Sequence, residues 1–369
     1  MSKHICVLTS VHPADDSRIY EKQIKSLVNA GYRVTFVNPF KDGIDDFGVE
    51  CIKVDVPRGT RTERIKNAPQ MIFEAAIKTG ADVFHFHDPE LLKIGPKLMK
   101  YGKVIFDSHE DTVLQTKSKH WIPKPLRGVL SMAYAVYEKS TATKISAIIT
   151  ATENIKETFA KYGCKKIAVV KNYPILKEFK VTDAPKKRQV CYVGGITKIR
   201  GIQEMVDAVE GTDIRLALAG SFDTPELEAS VKASKGFENV DYYGKVGREK
   251  VAEILSESVA GLVTLYPEPN YINSLPIKMF EYMAAGIPIV FSDFEFWKQL
   301  AMKDENSVCG IAVDGQNTEE IKDAVKYIFD HPEKAKEWGE NGIRLANEVY
   351  NWKAEEAKLL ALYKELLGE

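Results

Sequence analysis

The feature that most constrains the fold of this chain is the alternation of short apolar runs with helix-length segments. Runs of strand length occupy residues 4–9, 33–38, 51–56, 82–86, 103–107 and 147–150. A strand buried on both faces reads as continuously apolar, as VIF and AIIT do here, and such strands belong to parallel sheets covered by helices on each side. Residues 1–172 therefore read as a doubly wound α/β domain. The polar stretch NYPILKEFKVTDAPKKRQ interrupts the rhythm, and 173–189 reads as a linker. The same pattern restarts at 190–193, 214–219, 240–243, 260–265, 287–291 and 308–313, which makes 190–345 a second open α/β domain. A last segment, 346–369, sets Trp352, Leu359, Tyr363 and Leu366 on one helical face and is expected to pack back toward the first domain. Two such domains joined by a short linker imply a central cleft between them.

Composition narrows the function. Lys plus Arg total 51 against 52 for Asp plus Glu, so net charge is -1 and a binder relying on phosphate neutralisation along nucleic acid is excluded. Any anion site must be local. The 44% hydrophobic and 28% charged content is that of a globular protein. Cysteines at 6, 51, 164, 191 and 309 form no CxxC pair, which fits a reducing cytoplasm. The N-terminal apolar run is short for a signal peptide, and no stretch approaches the ~18 apolar residues of a membrane span. The expected location is cytoplasmic.

In open parallel sheets the ligand crevice lies beyond the carboxyl ends of the strands. Those ends are polar here: SVHPADDSR at 10–18, HFHDPE at 85–90, SHED at 108–111 and TATE at 150–153. Singly, such residues are commonly helix caps or loop hydrogen bonders: Asp88 before Pro89 is placed to cap the next helix, and Asp15 or Asp16 the helix starting near Arg18. Their clustering points to a site. His85 and His87 share one strand face, with Phe84 and Phe86 on the other.

The second domain opens with VGGITKIRG at 193–201, a strand, a glycine turn and a helix. Gly194 and Gly195 let backbone amides approach an anion and Arg200 supplies charge, although the spacing is not that of a dinucleotide or Walker A loop and a plain turn is the alternative. A second signal is NYINSLPIKMFEYMAAGIPIV at 270–290. Ser274 is placed as N-cap with Pro276 in the first turn of a helix beginning near Leu275, so that its amides and Lys278 face a pyrophosphate. Glu281 lies on nearly the same face and can accept two ribose hydroxyl protons, or it forms a surface pair with the lysine.

The segments DDSRIYEKQIKSLVNAGYRV, ADVFHFHDPELL, VIFDSHED, YVGGITKIRG and SLPIKMFEYMAAGIPIV, in this order over nearly the whole chain, resemble family 4 of the retaining GT-B glycosyltransferases, particularly the bacterial cell-surface polysaccharide members. The resemblance implies a GT-B architecture of two Rossmann-like domains and hexosyl transfer from a nucleotide sugar with retention, with no metal or other cofactor. By position it assigns Gly195, Thr197, Arg200 and Lys278 to the diphosphate, and Glu281 to the ribose. Gly244 and Val246 fall to the base edge, and Asn273, Ser274 and Leu275 to the donor side. His109 falls near the donor sugar as a positioning group, since the departing phosphate oxygen can take the acceptor proton; Asp15, Arg18, His87, Asp88 and Glu110 fall on the acceptor side.

Three departures stand out. The first of two glutamates usual in the family is Asn273 here, an arginine common in relatives is Gly195, and the glycine-rich acceptor loop is HPADDSR. The resemblance implies a UDP-sugar donor by family frequency and a glycan or lipid-linked acceptor for capsule, exopolysaccharide or lipopolysaccharide. A nucleotide-sugar 2-epimerase and a catalytically silent nucleotide-sugar binder, the latter suggested by Asn273, are the other readings. The stretch 119–139, with Trp121, Lys124 and Arg127 ahead of an apolar run, reads either as a peripheral contact with the inner face of the cell membrane or as an internal helix with a basic start.

Overall fold

The structure, a computed structural model, describes residues 2–57, 60–118, 123–179 and 185–369. It divides into two compact units, Met1–Asn172 with Lys353–Glu369, and Tyr173–Trp352.

The first unit is built on β1 (His4–Leu8), β2 (Arg33–Asn38), β3 (Gly43–Ile44), β4 (Glu50–Lys53), β5 (Val83–Phe86), β6 (Lys103–Ser108), β7 (Ala147–Thr150) and β8 (Ile167–Val169). They line up as β3-β4-β2-β1-β5-β6-β7-β8, parallel throughout except for the β3–β4 pair. All five residues of β1 are buried, as a strand covered on both faces requires. Two edge strands lie outside the apolar runs of the sequence. β3 is two exposed residues and β8 three half-buried ones, too short and too wet to carry a pattern.

The second unit holds β9 (Gln189–Val193), β10 (Arg215–Ala219), β11 (Val240–Gly244), β12 (Ala260–Val263), β13 (Ile289–Ser292) and β14 (Gly310–Val313), ordered β11-β10-β9-β12-β13-β14 and wholly parallel. Strand order reverses at β1 in one sheet and at β9 in the other. Those switch points are where an open α/β sheet leaves a crevice at its carboxyl edge.

Close packing seats the helix Ile277–Ala284 against this second sheet. A Cβ on Gly261 would stand 2.3 Å from the Tyr282 ring, and one on Gly342 of the helix Pro332–Glu348 would stand 3.0 Å from Met283 Cα. Only glycine admits both neighbours.

The domain boundaries differ from the sequence reading at two places. Tyr173 and Phe179 are buried with Phe280 and Tyr350 in the core of the second unit, so the first part of the 173–189 segment is core and not linker; 180–184 lie outside the described residues. The helix Pro332–Glu348 runs through residue 346, and the returning element is the helix Trp352–Leu367. Its Leu359 and Tyr363 are fully buried, and the Tyr363 hydroxyl lies 2.7 Å from His85 Nδ1.

Of the 119–139 stretch, residues 119–122, including Trp121, lie outside the described residues. The rest belongs to the helix Lys124–Ala142, which is seated through Ser131 and Glu138 and leaves Val129, Met132 and Val136 about two-thirds exposed at 65, 71 and 66%. It is a surface helix and not an internal one. Among the described residues no helix is long and apolar enough to cross a membrane.

Candidate active site

In the first unit the carboxyl ends of β1, β5 and β6 converge on Asp107. Parallel pairing sets His85 beside Ile105 and Phe86 beside Phe106, so His87 and Asp107 come next to each other one step further on. Asp107 is fully buried and accepts from Arg18 Nε at 2.9 Å, Arg18 Nη2 at 2.8 Å and Gln23 Nε2 at 2.6 Å. Arg18 and Gln23 reach one carboxylate because Ile19–Ile24 is a π-helical turn, in which Gln23 N–H donates to the Arg18 carbonyl five residues back at 3.0 Å. His87 Nδ1 and His109 Nε2 stand 3.4 and 3.3 Å from Asp107 Oδ2 and 3.0 Å from each other. Burial opposes ionisation of Asp107, but the neighbouring Arg18 and His109 outweigh it and hold the carboxyl well below the usual range. Burial pushes His87 down to about 4 against the pull of Asp107, so the imidazole is neutral at physiological pH.

A second shelf is built from the loop after β1. Asp88 Oδ2 accepts from Ser10 N–H at 2.6 Å and Thr9 Oγ1 at 2.8 Å, and His12 Nε2 lies 3.4 Å from Asp88 Oδ1. Burial lowers the basicity of His12, yet Asp16 at 3.1 Å, with Asp88 and Asp107, raises it above its ordinary value. The His12 and His109 rings stand 5.2 Å apart.

Several sequence assignments change here. Arg18, expected to line the acceptor side, is buried and locked to Asp107, because a carboxylate sealed from water is costly unless its charge is paired. Asp88 does not cap the helix after it; its carboxylate ties β5 to the β1 loop. Asp16 is the capping residue, accepting from Arg18 N–H and Ile19 N–H at 2.9 Å each, and Asp15 is left exposed. Glu110 is exposed, with its carbonyl accepting from Ser108 Oγ at 3.2 Å. His109 keeps 20% of its side chain accessible and is the member of the Asp107 cluster open to a ligand.

Among the described residues, His85, His87 and Asp107 bring ligand atoms close enough to share a cation. Both Asp107 oxygens are already taken by Arg18, whose fixed charge opposes a cation at the same spot.

In the second unit β9 runs into Gly194, whose φ of +147° favours glycine; a Cβ there would stand 2.2 Å from Lys278 Cε, so the lysine stem lies directly over this glycine. The Gly195 carbonyl accepts from the Tyr192 hydroxyl at 2.8 Å and from Arg200 Nη1 at 3.0 Å. Lys278 Nζ lies 5.3 Å from the centroid of the Tyr192 ring. Burial first, and then the charge of Arg200, lowers the lysine to about 8. Neither cation forms an ion pair with a carboxylate of the described residues. Two like charges thus share a half-buried corner, next to the N-terminus of Ile277–Ala284, which no side chain caps.

The helix starts at Ile277 with Pro276 as its N-cap, so Ser274 is no cap: its hydroxyl donates to the Tyr271 carbonyl at 3.0 Å and its own carbonyl accepts from Trp297 Nε1 at 2.9 Å. Pro276 brings no N–H of its own, and the turn before it is held by tertiary bonds that no local signal encodes. Leu275 packs against the core, Asn273 is exposed and Thr197 Oγ1 is buried without a partner. Gly244 (φ +65°) ends β11 and, with Val246 after it, leads to Arg248, which donates to Glu281 Oε1 at 2.8 Å and pairs with Glu178. Glu281 is therefore oriented by Arg248 and not by Lys278.

The sequence reading missed Asp107, Gln23, His12, Tyr192 and Arg248. Asp107 had a visible signal, a lone acid closing the apolar run VIF. The rest depend on tertiary proximity.

Two family models match the chain, one described as "Glycosyltransferase Family 4" over residues 18–173 and one as "Glycosyl transferases group 1" over residues 175–345. A D-rhamnosyltransferase, WbpZ, of Pseudomonas aeruginosa is 23% identical over 154 residues, 42% of this chain and 39% of that protein. The curated relatives are matched over 39 to 48% of their own length. Sucrose-phosphate synthase from Thermosynechococcus elongatus superposes with a TM-score of 0.77 at 18% identity, covering 99% of both chains. Anabaena HepE, solved in complex with UDP and glucose, gives 0.74 at 12% identity over 98% of this chain and all of that one. With a family 4 domain followed by a group 1 domain, each on its own parallel sheet, the chain belongs to the GT-B glycosyltransferases of these families.

Proposed function

We propose that this chain is a retaining glycosyltransferase that moves a sugar from a nucleoside diphosphate donor, UDP in the first instance, to a glycan or lipid-linked acceptor in bacterial surface-polysaccharide synthesis. The observation that carries the reading is the pair Lys278 and Arg200. Two cations held together with no carboxylate between them are stabilised by an anion, and the lowered Lys278 recovers its proton affinity when one arrives. The glycine turn and the uncapped helix add amides at the same corner. A diphosphate is the anion whose charge grows as the sugar leaves, and stabilisation of that charge is the dominant catalytic contribution expected here. Asn273 carries no charge, so the oxocarbenium-like sugar is balanced by the departing diphosphate itself. The acceptor proton passes to a departing phosphate oxygen, while His109, fixed through Asp107, orients the acceptor hydroxyl.

The D-rhamnosyltransferase relative supports the polysaccharide assignment, and the UDP and glucose complex of Anabaena HepE supports the donor class. The exposed Val129, Met132 and Val136 support a peripheral membrane contact by the helix Lys124–Ala142, the setting of a lipid-linked acceptor.

A thermal-shift screen of UDP, GDP, dTDP and ADP, each with and without its sugar, tests the donor side. One nucleotide should stabilise the protein, and Lys278→Ala or Arg200→Ala should remove that shift and lower turnover by about 10²–10³. Unchanged binding and turnover in both variants would refute the site. Incubating donor without acceptor separates transfer from 2-epimerisation by the product formed.

A further inference from the structure

The loop that carries His12 also walls a cavity. Residues 13–15, the π-helical turn and the loop following β2 enclose a pocket of about 570 Å³ within the first unit. Phe40 and Phe47 line it and remain 49 and 37% exposed, unusual for aromatic rings with no role in the core.

The charges on its wall are unevenly matched. Lys25 Nζ donates to Glu21 Oε2 at 2.6 Å and lies 5.5 Å from the centroid of the Phe47 ring. Lys41 pairs with Asp45 at 3.3 Å, and Asp45 also accepts from the Tyr20 hydroxyl and from Phe47 N–H, which stiffens the loop. Both lysines are therefore committed. Asp15 and Asp46, the remaining carboxylates, are exposed and have no partner among the described residues.

We infer that this pocket is an acceptor subsite that takes an uncharged sugar, stacked on Phe40 and Phe47 with its hydroxyls donating to Asp15 and Asp46, and that it rejects phosphorylated sugars. The inference rests on the transferase reading and gives it a substrate class. A pyranose offers C–H bonds on one face and hydroxyl donors around its edge, the complement of an aromatic wall with carboxylate acceptors. A phosphate ester brings like charge to two free carboxylates, with no free cation in the wall to balance it. The sign of charge also sorts the two substrates: the diphosphate corner is cationic and this pocket is anionic, so donor and acceptor do not compete.

Ligand-observed NMR on the full chain tests this, using methyl glucoside, methyl mannoside, methyl rhamnoside and the 6-phosphates of the first two, each at about 10 mM because isolated sugar subsites bind near millimolar. Saturation transfer is expected to at least one neutral glycoside, lost in Phe40→Ala with Phe47→Ala. Its phosphate ester should bind at least about tenfold more weakly, and Asp15→Lys with Asp46→Lys should reverse the order. Equal or tighter binding of the phosphate to the unaltered protein overturns the inference. So does the absence of transfer to every neutral glycoside. Nucleotide-induced stabilisation is read separately, so a failed donor site and a failed acceptor pocket give different results.

Discussion

Titration of Lys278 should switch off diphosphate binding above neutral pH. Its ammonium sits against Tyr192 and near Arg200, and burial together with that charge brings it down to about 8. If the anion requires the charged lysine, the competent fraction falls from about nine-tenths at pH 7 to about one-tenth at pH 9. The dissociation constant should rise about tenfold, or about 1.4 kcal/mol. A solvated lysine, with an ordinary value near 10.4, stays charged across that range and gives a flat profile. The second ionisation of a phosphate ester, near 6, is largely complete before the window opens. Isothermal titration of UDP between about pH 6.5 and 9.5, with uridine as a phosphate-free control, measures the slope. Lys278→Arg, charged throughout, should bind without the slope, and Lys278→Met should bind weakly and flatly. The free protein should respond in the opposite sense. Because the folded-state value is lowered, the unfolded chain holds more protons between about 8 and 10.4, so stability rises with pH there while nucleotide protection fades. A flat wild-type profile, or an unchanged slope in Lys278→Met, refutes the reasoning.

Two further expectations follow from contacts described above. Gly194→Ala places a methyl 2.2 Å from Lys278 Cε at a φ of +147°, so the lysine stem must move; UDP affinity should drop at least about tenfold at a folding cost of about 1–3 kcal/mol, checked by titration and urea unfolding. An unaltered dissociation constant would show that Lys278 does not reach the diphosphate. His87, buried and lowered to about 4, stays neutral while the unfolded imidazole protonates below about 6.5, so stability is lost on acidification through that window, by about 2 kcal/mol at pH 5. His87→Gln should flatten the loss in urea titrations at pH 7 and 5, and an equally acid-sensitive variant would rule out His87 as its source.

Much of the fold was legible because parallel strands buried on both faces must be apolar throughout. HICVL, VFHF, AIIT and AGLV announce themselves whatever lies around them. β3 and β8 escaped because edge strands are held by neighbours and not by their own burial. The clustering of polar residues at carboxyl ends was legible for the same topological reason; Arg200 and Lys278 were each marked by a local motif, but only the fold brings them near each other. Ser274 misled because its capping chemistry is the same in a tight turn, where it serves Tyr271 instead. Arg18 misled because the residues before it, Asp15, Asp16 and Ser17, are polar and exposed or half-exposed, while its partner Asp107 lies 89 residues away.

Local composition alone determined two parallel α/β sheets, the polar rims at their carboxyl edges and the glycine turn into which a cation fits, since these follow from which residues tolerate burial and which backbone angles a side chain forbids. Tertiary structure alone decided that Arg18 and Gln23 share Asp107, that Arg248 orients Glu281, and that Phe40 and Phe47 rim a pocket with two unmatched carboxylates. Each of these is a meeting of distant residues whose energy depends on desolvation and separation, quantities that exist only once the chain has folded.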